Sequence, residues 1–198
     1  MERKTSKTEN ALSLLLWLLG LFWLDTPKAA ALMLFAVTLH EMGHLCAFLL
    51  MGEPLPSLGA QRLGLRLLEA RPLSYKREAL AALAGPFANL LCFSFSWLLG
   101  KAGLGAYLHL FLAIGNLLPI ETLDGGRVLE GILGTYFDAK TVYGVCRAVS
   151  FLTLCIALFF TLVFLWARGS GAYLFFLFFS LFVRHLTMSD ACIDFRRI

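Results

Sequence analysis

The sequence predicts an all-α polytopic membrane protein with about six transmembrane helices, because composition and charge agree on that class. Apolar residues make up 59% of the 198 residues and the mean hydropathy is +0.77, whereas soluble domains are about 45 to 50% apolar. With six spans and the N terminus inside, 14 of the 17 Lys and Arg residues fall on the inner side. Because cytoplasmic loops are enriched in these residues, we expect both termini in the cytoplasm.

Six apolar runs are the expected spans of one membrane-embedded domain that covers residues 1–198. The first run is short for a crossing, but no small-residue cleavage signature follows it, so we interpret it as a retained signal anchor. The third run contains Gly85-Pro86, which predicts a bend or a break there. The six spans are residues 11–24, 29–51, 79–100, 103–120, 147–167 and 172–186.

Three connecting segments carry signals of their own. Residues 52–78 are less hydrophobic and alternate partly over 63–67, which predicts either a small interfacial β-hairpin after the second span or an ordinary loop. Pro119 and Gly125-Gly126 interrupt the end of the fourth span, so Asp124 is expected on irregular backbone at the membrane edge. Residues 127–146 are mixed in character and predict a short helix.

The most informative stretch is His40-Glu41-Met42-Gly43-His44, inside the second span. Residues i and i+4 of an α-helix share a face, so His40 and His44 form a pair of imidazole ligands, with Glu41 beside them as a general base. The alternative is a set of hydrogen-bonded core histidines. A charged group in lipid costs about 2.5 to 3.5 kcal/mol on insertion scales, so three ionisable groups together favour a metal site.

Chain direction adds Asp124 to this predicted site. The second and fourth spans both run inward, so His44 and Asp124 both fall on the cytoplasmic side of the bilayer. A re-entrant loop after Pro119 would carry Asp124 to the depth of the histidines. Two imidazoles and one carboxylate form a catalytic zinc set with a fourth position for water, although other divalent ions accept the same ligands.

Three motifs occur together in this chain: His40-Glu41-x-x-His44, the run from Asn116 to Gly126 with Pro119 and Leu123-Asp124-Gly125-Gly126, and Ala84-Gly85-Pro86 with Asn89. Together they resemble the motifs of the site-2 protease family of intramembrane zinc metalloproteases, over about residues 10–186. The short six-span form is most similar to the stage IV sporulation protein FB branch of that family. The resemblance implies a bacterial cytoplasmic membrane, and we expect neither a PDZ nor a CBS domain.

The resemblance implies a role for each residue of the predicted site. His40, His44 and Asp124 would hold Zn²⁺, and Glu41 would activate the attacking water. Asn116 would hold the substrate backbone or the developing oxyanion. For Asn116 the alternative is a structural amide that caps the broken helix.

Three further polar residues have no settled role in the sequence. Glu121 departs from the family pattern and puts an additional carboxylate near the predicted site. His109 lies seven residues before Asn116, so it either approaches the cavity or is a core histidine. His185 is expected to form an interfacial pair with Arg184.

The resemblance implies an intramembrane zinc metalloendopeptidase that cleaves a membrane-anchored or membrane-associated regulatory protein near the cytoplasmic face. The alternative is a proteolytically silent relative that binds transmembrane helices as an adaptor. An ion or solute carrier has less support, because no inverted repeat is visible. The expected partners are a membrane protein substrate, the lipid bilayer and a regulatory membrane protein. Nucleic-acid binding has no support, because the basic residues are not massed with aromatic residues.

Overall fold

The computed structural model describes residues 26–53, 57–61, 64–68, 73–168 and 172–188. The chain divides into two compact units, Met1–Asn116 and Leu117–Ile198. The predicted first span, residues 11–24, lies outside the described residues. That all 198 residues form one membrane-embedded domain therefore stays a prediction.

Helix α1 (Pro27–Leu50) opens the described part of the first unit. Its start is capped because the Thr26 hydroxyl accepts a hydrogen bond from the Ala29 N–H at 3.2 Å. Pro27 suits the first helical position, where its missing N–H has no partner to lose. The buried positions of α1 recur at intervals of four and seven residues and so form one face.

A pair of short antiparallel strands follows α1. Strand β1 (Ser57–Gln61) pairs with β2 (Gly64–Leu68), in a register that sets Ser57 opposite Leu68 and Gln61 opposite Gly64. The strands fall in the segment where the sequence alternates. Their position at a membrane interface stays a prediction.

Helices α2 (Tyr75–Leu98) and α3 (Leu104–Asn116) complete the described part of the first unit. Helix α2 runs without interruption through Pro86, so the helix is not broken there as the sequence had suggested it could be. Small residues bring α1 and α2 together. A methyl group at Gly43 would lie 2.6 Å from the Ala84 carbonyl oxygen and 2.9 Å from the Ala88 Cβ. Close approach through small residues is typical of packed transmembrane helices.

The described part of the second unit consists of α4 (Asp124–Leu133), α5 (Ala139–Arg168) and α6 (Ala172–Met188). Asp138 caps the start of α5, because its carboxylate accepts hydrogen bonds from the N–H groups of Lys140 and Thr141 at 3.1 Å. A further hydrogen bond from the Thr141 hydroxyl is the main reason that the pKa of Asp138 lies below its ordinary value. The predicted short helix within residues 127–146 corresponds to α4, which begins three residues earlier.

The structure corrects the expected position of Asp124. The break after α3 does occur, but Asp124 is the first residue of α4 and does not lie on irregular backbone. The two following glycines explain this start. A methyl group at Gly125 would run into the Leu117 carbonyl, and one at Gly126 into the Ile120 carbonyl. Because both positions lack a side chain, the first turn of α4 lies directly on the backbone that precedes it.

Three described helices are long and apolar enough to cross a membrane: Pro27–Leu50, Tyr75–Leu98 and the Ala139–Ala167 part of α5. Their outward faces carry large apolar side chains, such as Leu50 and Trp166, each 89% exposed. Helix α3 has 13 residues and is about 20 Å long, which is short for a hydrocarbon core of about 30 Å. An integral membrane protein therefore agrees with the described helices, whereas the number of six spans stays a prediction.

Candidate metal centre

His40 and His44 lie one turn apart on the buried face of α1. Their side chains are 5% and 6% exposed, and their rings are nearly perpendicular with centroids 4.8 Å apart. The two Nε2 atoms are 3.2 Å apart. Two nitrogens that each lie about 2.0 to 2.1 Å from a tetrahedral zinc ion are about 3.3 to 3.4 Å from each other. The pair therefore has the separation of two zinc ligands.

Groups on α2 hold the other nitrogen of each ring. His44 Nδ1 lies 2.8 Å from the Ala81 carbonyl oxygen, which can only accept, so Nδ1 donates and Nε2 retains its lone pair. His40 Nδ1 lies 3.2 Å from the Nδ2 atom of Asn89, whose side chain is fully buried. Metal-binding histidines generally donate a hydrogen bond from the nitrogen that does not bind the metal, as His44 does here, and such a partner sets the tautomer and the ring orientation.

Gly85 supplies space that any side chain would fill. A methyl group there would run into His44 Nε2, and would lie 2.6 Å from His44 Cε1 and 2.9 Å from His40 Cε1. Gly85 is not among the glycines with positive φ, so its value lies in the missing side chain and not in an unusual backbone. From the sequence, Gly85 was expected only to take part, with Pro86, in a bend or a break of the span. The open space beside Gly85 and the two imidazoles together fit a metal ion.

Glu41 lies on α1 in the same turn as the two histidines and is half-buried. Its position one residue after His40 sets its carboxylate to the side of the imidazole pair and not directly in line with it. A carboxylate beside such a pair can accept a proton from a water molecule. Its assignment as the general base stays a prediction.

Asn116 and Asp124 were also predicted to belong to the site. Asn116 is the last residue of α3, and its amide donates a hydrogen bond to the Leu112 carbonyl at 3.0 Å. That bond is the kind expected of a structural amide. Asp124 belongs to the second unit, where it is half-buried in the first turn of α4. The positive end of a helix dipole favours an ionised carboxylate there, but its role as a metal ligand stays a prediction.

A link between His40 and His109 was not predicted from the sequence. Asn89 Oδ1 lies 2.9 Å from His109 Nδ1, so the Asn89 amide contacts one histidine on α1 and another on α3. His109 is 6% exposed, and its ring meets the edge of Phe35 at 6.1 Å between centroids. A signal was present, since polar side chains inside apolar helices are generally functional or paired. Their pairing could not be read from positions far apart in the chain.

Glu121 has clear partners within the second unit. Its N–H donates a hydrogen bond to Ser150 Oγ at 3.3 Å, and its carboxylate lies 3.5 Å from His185 Nδ1. Ser150 and His185 are buried, and Ser150 Oγ lies 3.5 Å from His185 Nδ1. His185 is therefore a buried contact of α5 and of the segment before Asp124, and its expected pairing with Arg184 at the membrane interface stays a prediction.

Replacing Gly85 by alanine should weaken metal binding, because the added methyl would push the His44 imidazole out of place. We expect the zinc dissociation constant of Gly85→Ala to rise about tenfold or more, as for other changes next to metal ligands. Competition with a chromophoric chelator, on detergent-solubilised protein, measures it. Gly115→Ala is the matched control, because a methyl group there meets nothing within 4 Å. Equal zinc affinity of the two variants would show that metal binding does not need the missing side chain at Gly85.

The chain resembles known proteases in sequence and in fold, although no protein-family model matches it. A curated protein of Synechocystis sp., provisionally named a zinc metalloprotease, is 33% identical over 130 residues, which is 59% of this chain and 32% of that protein. The chain therefore spans about a third of the length of this relative. The solved structure of the site-2 protease from Methanocaldococcus jannaschii matches 92% of this chain and 88% of its own, with a TM-score of 0.64 and 18% identity. The chain thus has the fold of that protease.

Proposed function

We propose that this protein is an intramembrane zinc metalloendopeptidase. The observation that carries the proposal is the buried pair of His40 and His44, with Nε2 atoms 3.2 Å apart. Coordination of one ion by both Nε2 atoms requires both Nδ1 atoms to donate a hydrogen bond to α2. His44 Nδ1 does so to the Ala81 carbonyl, and His40 Nδ1 would do so once the Asn89 amide turns its oxygen toward the ring. Both Nε2 lone pairs would then face one ion, at nearly the separation that a tetrahedral zinc site requires. The fold, which matches that of a site-2 protease, and the partial likeness to a protein named a zinc metalloprotease also support this proposed function.

Each polar residue of the predicted set has a defined part in the proposed reaction. His40, His44 and Asp124 would hold Zn²⁺, which would polarise the scissile carbonyl and make water more acidic. Glu41 takes the proton from the attacking water and passes it to the leaving amine. Asn116 holds the substrate backbone or the developing oxyanion, as the resemblance implies.

The proposed substrate is a membrane-anchored or membrane-associated regulatory protein, cut near the cytoplasmic face. The depth predicted for His44 and Asp124 supports that face, given the charge asymmetry of the chain. We also propose a bacterial cytoplasmic membrane and control by a regulatory membrane partner, as the resemblance to the stage IV sporulation protein FB branch expected from the sequence implies. The alternative function is that of an adaptor which binds transmembrane helices without cutting them.

The strands β1 and β2 supply a surface for an extended substrate. A helical segment hides its own peptide carbonyls, so the substrate must unwind before it is cut. Within the described strands, β1 and β2 pair only with each other. A two-stranded sheet leaves outer edges that can add an extended peptide segment through backbone hydrogen bonds. We therefore assign substrate capture to this hairpin.

Metal analysis tests the ligand set. Purified, detergent-solubilised wild type should contain about one zinc per chain, and Asp124→Ala should lose most of it, because three protein ligands are needed for a catalytic zinc site. Elemental analysis by mass spectrometry provides the measurement. The control is Asp138→Ala, which removes an acidic side chain that caps α5. This variant should retain the metal. Full zinc content in Asp124→Ala would exclude Asp124 as a ligand.

Replacing Glu41 by glutamine should separate catalysis from binding. We expect Glu41→Gln to keep its zinc while cleavage falls at least about a hundredfold, in the range of a lost general base. Tagged single-span test proteins, co-expressed with each variant and followed by immunoblot, report cleavage. The adaptor alternative predicts no wild-type cleavage of any test protein, together with equal binding by the wild type and Glu41→Gln.

Removal of the hairpin tests substrate capture. When residues 58–68 are replaced by a Gly/Ser linker of equal length, we expect the test proteins to be cut slowly while zinc content stays at the wild-type level, because the imidazole pair lies on α1. The same immunoblot and elemental analysis measure both quantities. Unchanged cleavage by the linker variant would remove the hairpin from the mechanism.

A further inference from the structure

We propose that His109 is a positioning residue for the metal ligand His40 and acts on it through the Asn89 amide. This inference rests on the proposed function, because it requires a metal ion at His40. The three side chains come from α1, α2 and α3 and are all buried, at 5%, 0% and 6% exposure for His40, Asn89 and His109. Their polar atoms form one chain, with links of 3.2 Å and 2.9 Å.

The orientation of the Asn89 amide decides which nitrogen of His40 carries the proton. An amide NH₂ can only donate and an amide oxygen can only accept. With Asn89 Nδ2 toward His40 Nδ1, that ring nitrogen accepts, so the proton of neutral His40 is on Nε2. With Asn89 Oδ1 toward His109 Nδ1, the proton of His109 is on Nδ1. With the amide in this orientation, His40 Nε2 carries the proton and has no lone pair for a metal ion.

Coordination of a metal ion through His40 Nε2 requires the opposite orientation of the Asn89 amide. His40 must then carry its proton on Nδ1 and donate it to an acceptor, which is the Asn89 oxygen after a half turn of the amide. Asn89 Nδ2 then points to His109, whose Nδ1 must accept, so the proton of His109 is on Nε2. Each imidazole keeps one proton and the net charge is unchanged. The heavy atoms hardly move, because the two ends of an amide are nearly equal in size.

His109 can therefore support the amide orientation that His40 needs. As an acceptor it gives the turned Asn89 NH₂ group a partner, and a buried NH₂ group without one is unfavourable. An apolar side chain at position 109 would remove that partner. The ring of His44 does not depend on this chain, because its Nδ1 is held by the Ala81 carbonyl. The effect should thus reach the metal through His40.

Histidine NMR of the full-length wild type tests the reversal directly. The chain has four histidines, so ¹⁵N-histidine labelling gives a tractable spectrum, and His185 in the second unit is the internal reference. When wild type that has been stripped of metal with a chelator is reloaded with zinc chloride alone, we expect His109 to change from the Nδ1–H to the Nε2–H tautomer. A change at His40 without a change at His109 would overturn the inference and leave the proposed function intact. No response at His40 or His44 would overturn both.

Two substitutions at one position separate hydrogen bonding from packing. His109→Leu fills similar space without a polar atom and should weaken zinc binding about tenfold or more, whereas His109→Asn offers an acceptor and should stay within about threefold of wild type. Leu112→Ala, a buried neighbour on α3, is the packing control and should bind as wild type does. Competition with a chelator measures all three. The inference is overturned if His109→Leu binds like wild type, or if His109→Asn is as weak as His109→Leu.

Discussion

A pair of imidazole rings inside apolar protein is the constraint on which the first unit depends. Buried ring nitrogens need partners, because an unpaired polar group away from water is costly. Helix α2 supplies them through a backbone carbonyl at Ala81 and an amide at Asn89. To reach the rings, α2 must lie very close to α1. The missing side chains of Gly43 and Gly85 allow that approach. The same two glycines therefore permit both the close packing of the helices and the contacts that orient the rings.

The second unit achieves order around Asp124 by different means. Gly125 and Gly126 let the first turn of α4 rest on the backbone before it. Glu121 joins that same backbone to Ser150 of α5 and His185 of α6. The position of Asp124 is thereby fixed by the helix that it begins and by the segment before it, which Glu121 attaches to α5 and α6.

Local patterns in the sequence predicted much of this arrangement, and the remainder depends on tertiary contacts. The i, i+4 spacing of His40 and His44 is a property of one helix, so it could be recognised without a fold. The link from His40 to Asn89 and His109 crosses three helices and has no local signature. Asp124 was expected on irregular backbone because glycine pairs often end helices, yet these two glycines begin one since close packing requires their missing side chains.

The energetics of the buried polar chain bear on the choice between protease and adaptor. A protein that only binds transmembrane helices needs shape and apolar surface on its lipid-facing side. Burying His40, Asn89 and His109 gives such a protein little stability over apolar residues of similar shape, because replacing all the partners of a hydrogen bond by apolar groups can be nearly neutral or even stabilising. The gain from these side chains appears only if the orientation of an imidazole matters. Orientation matters for holding an ion, so the buried chain favours metal chemistry over passive helix binding.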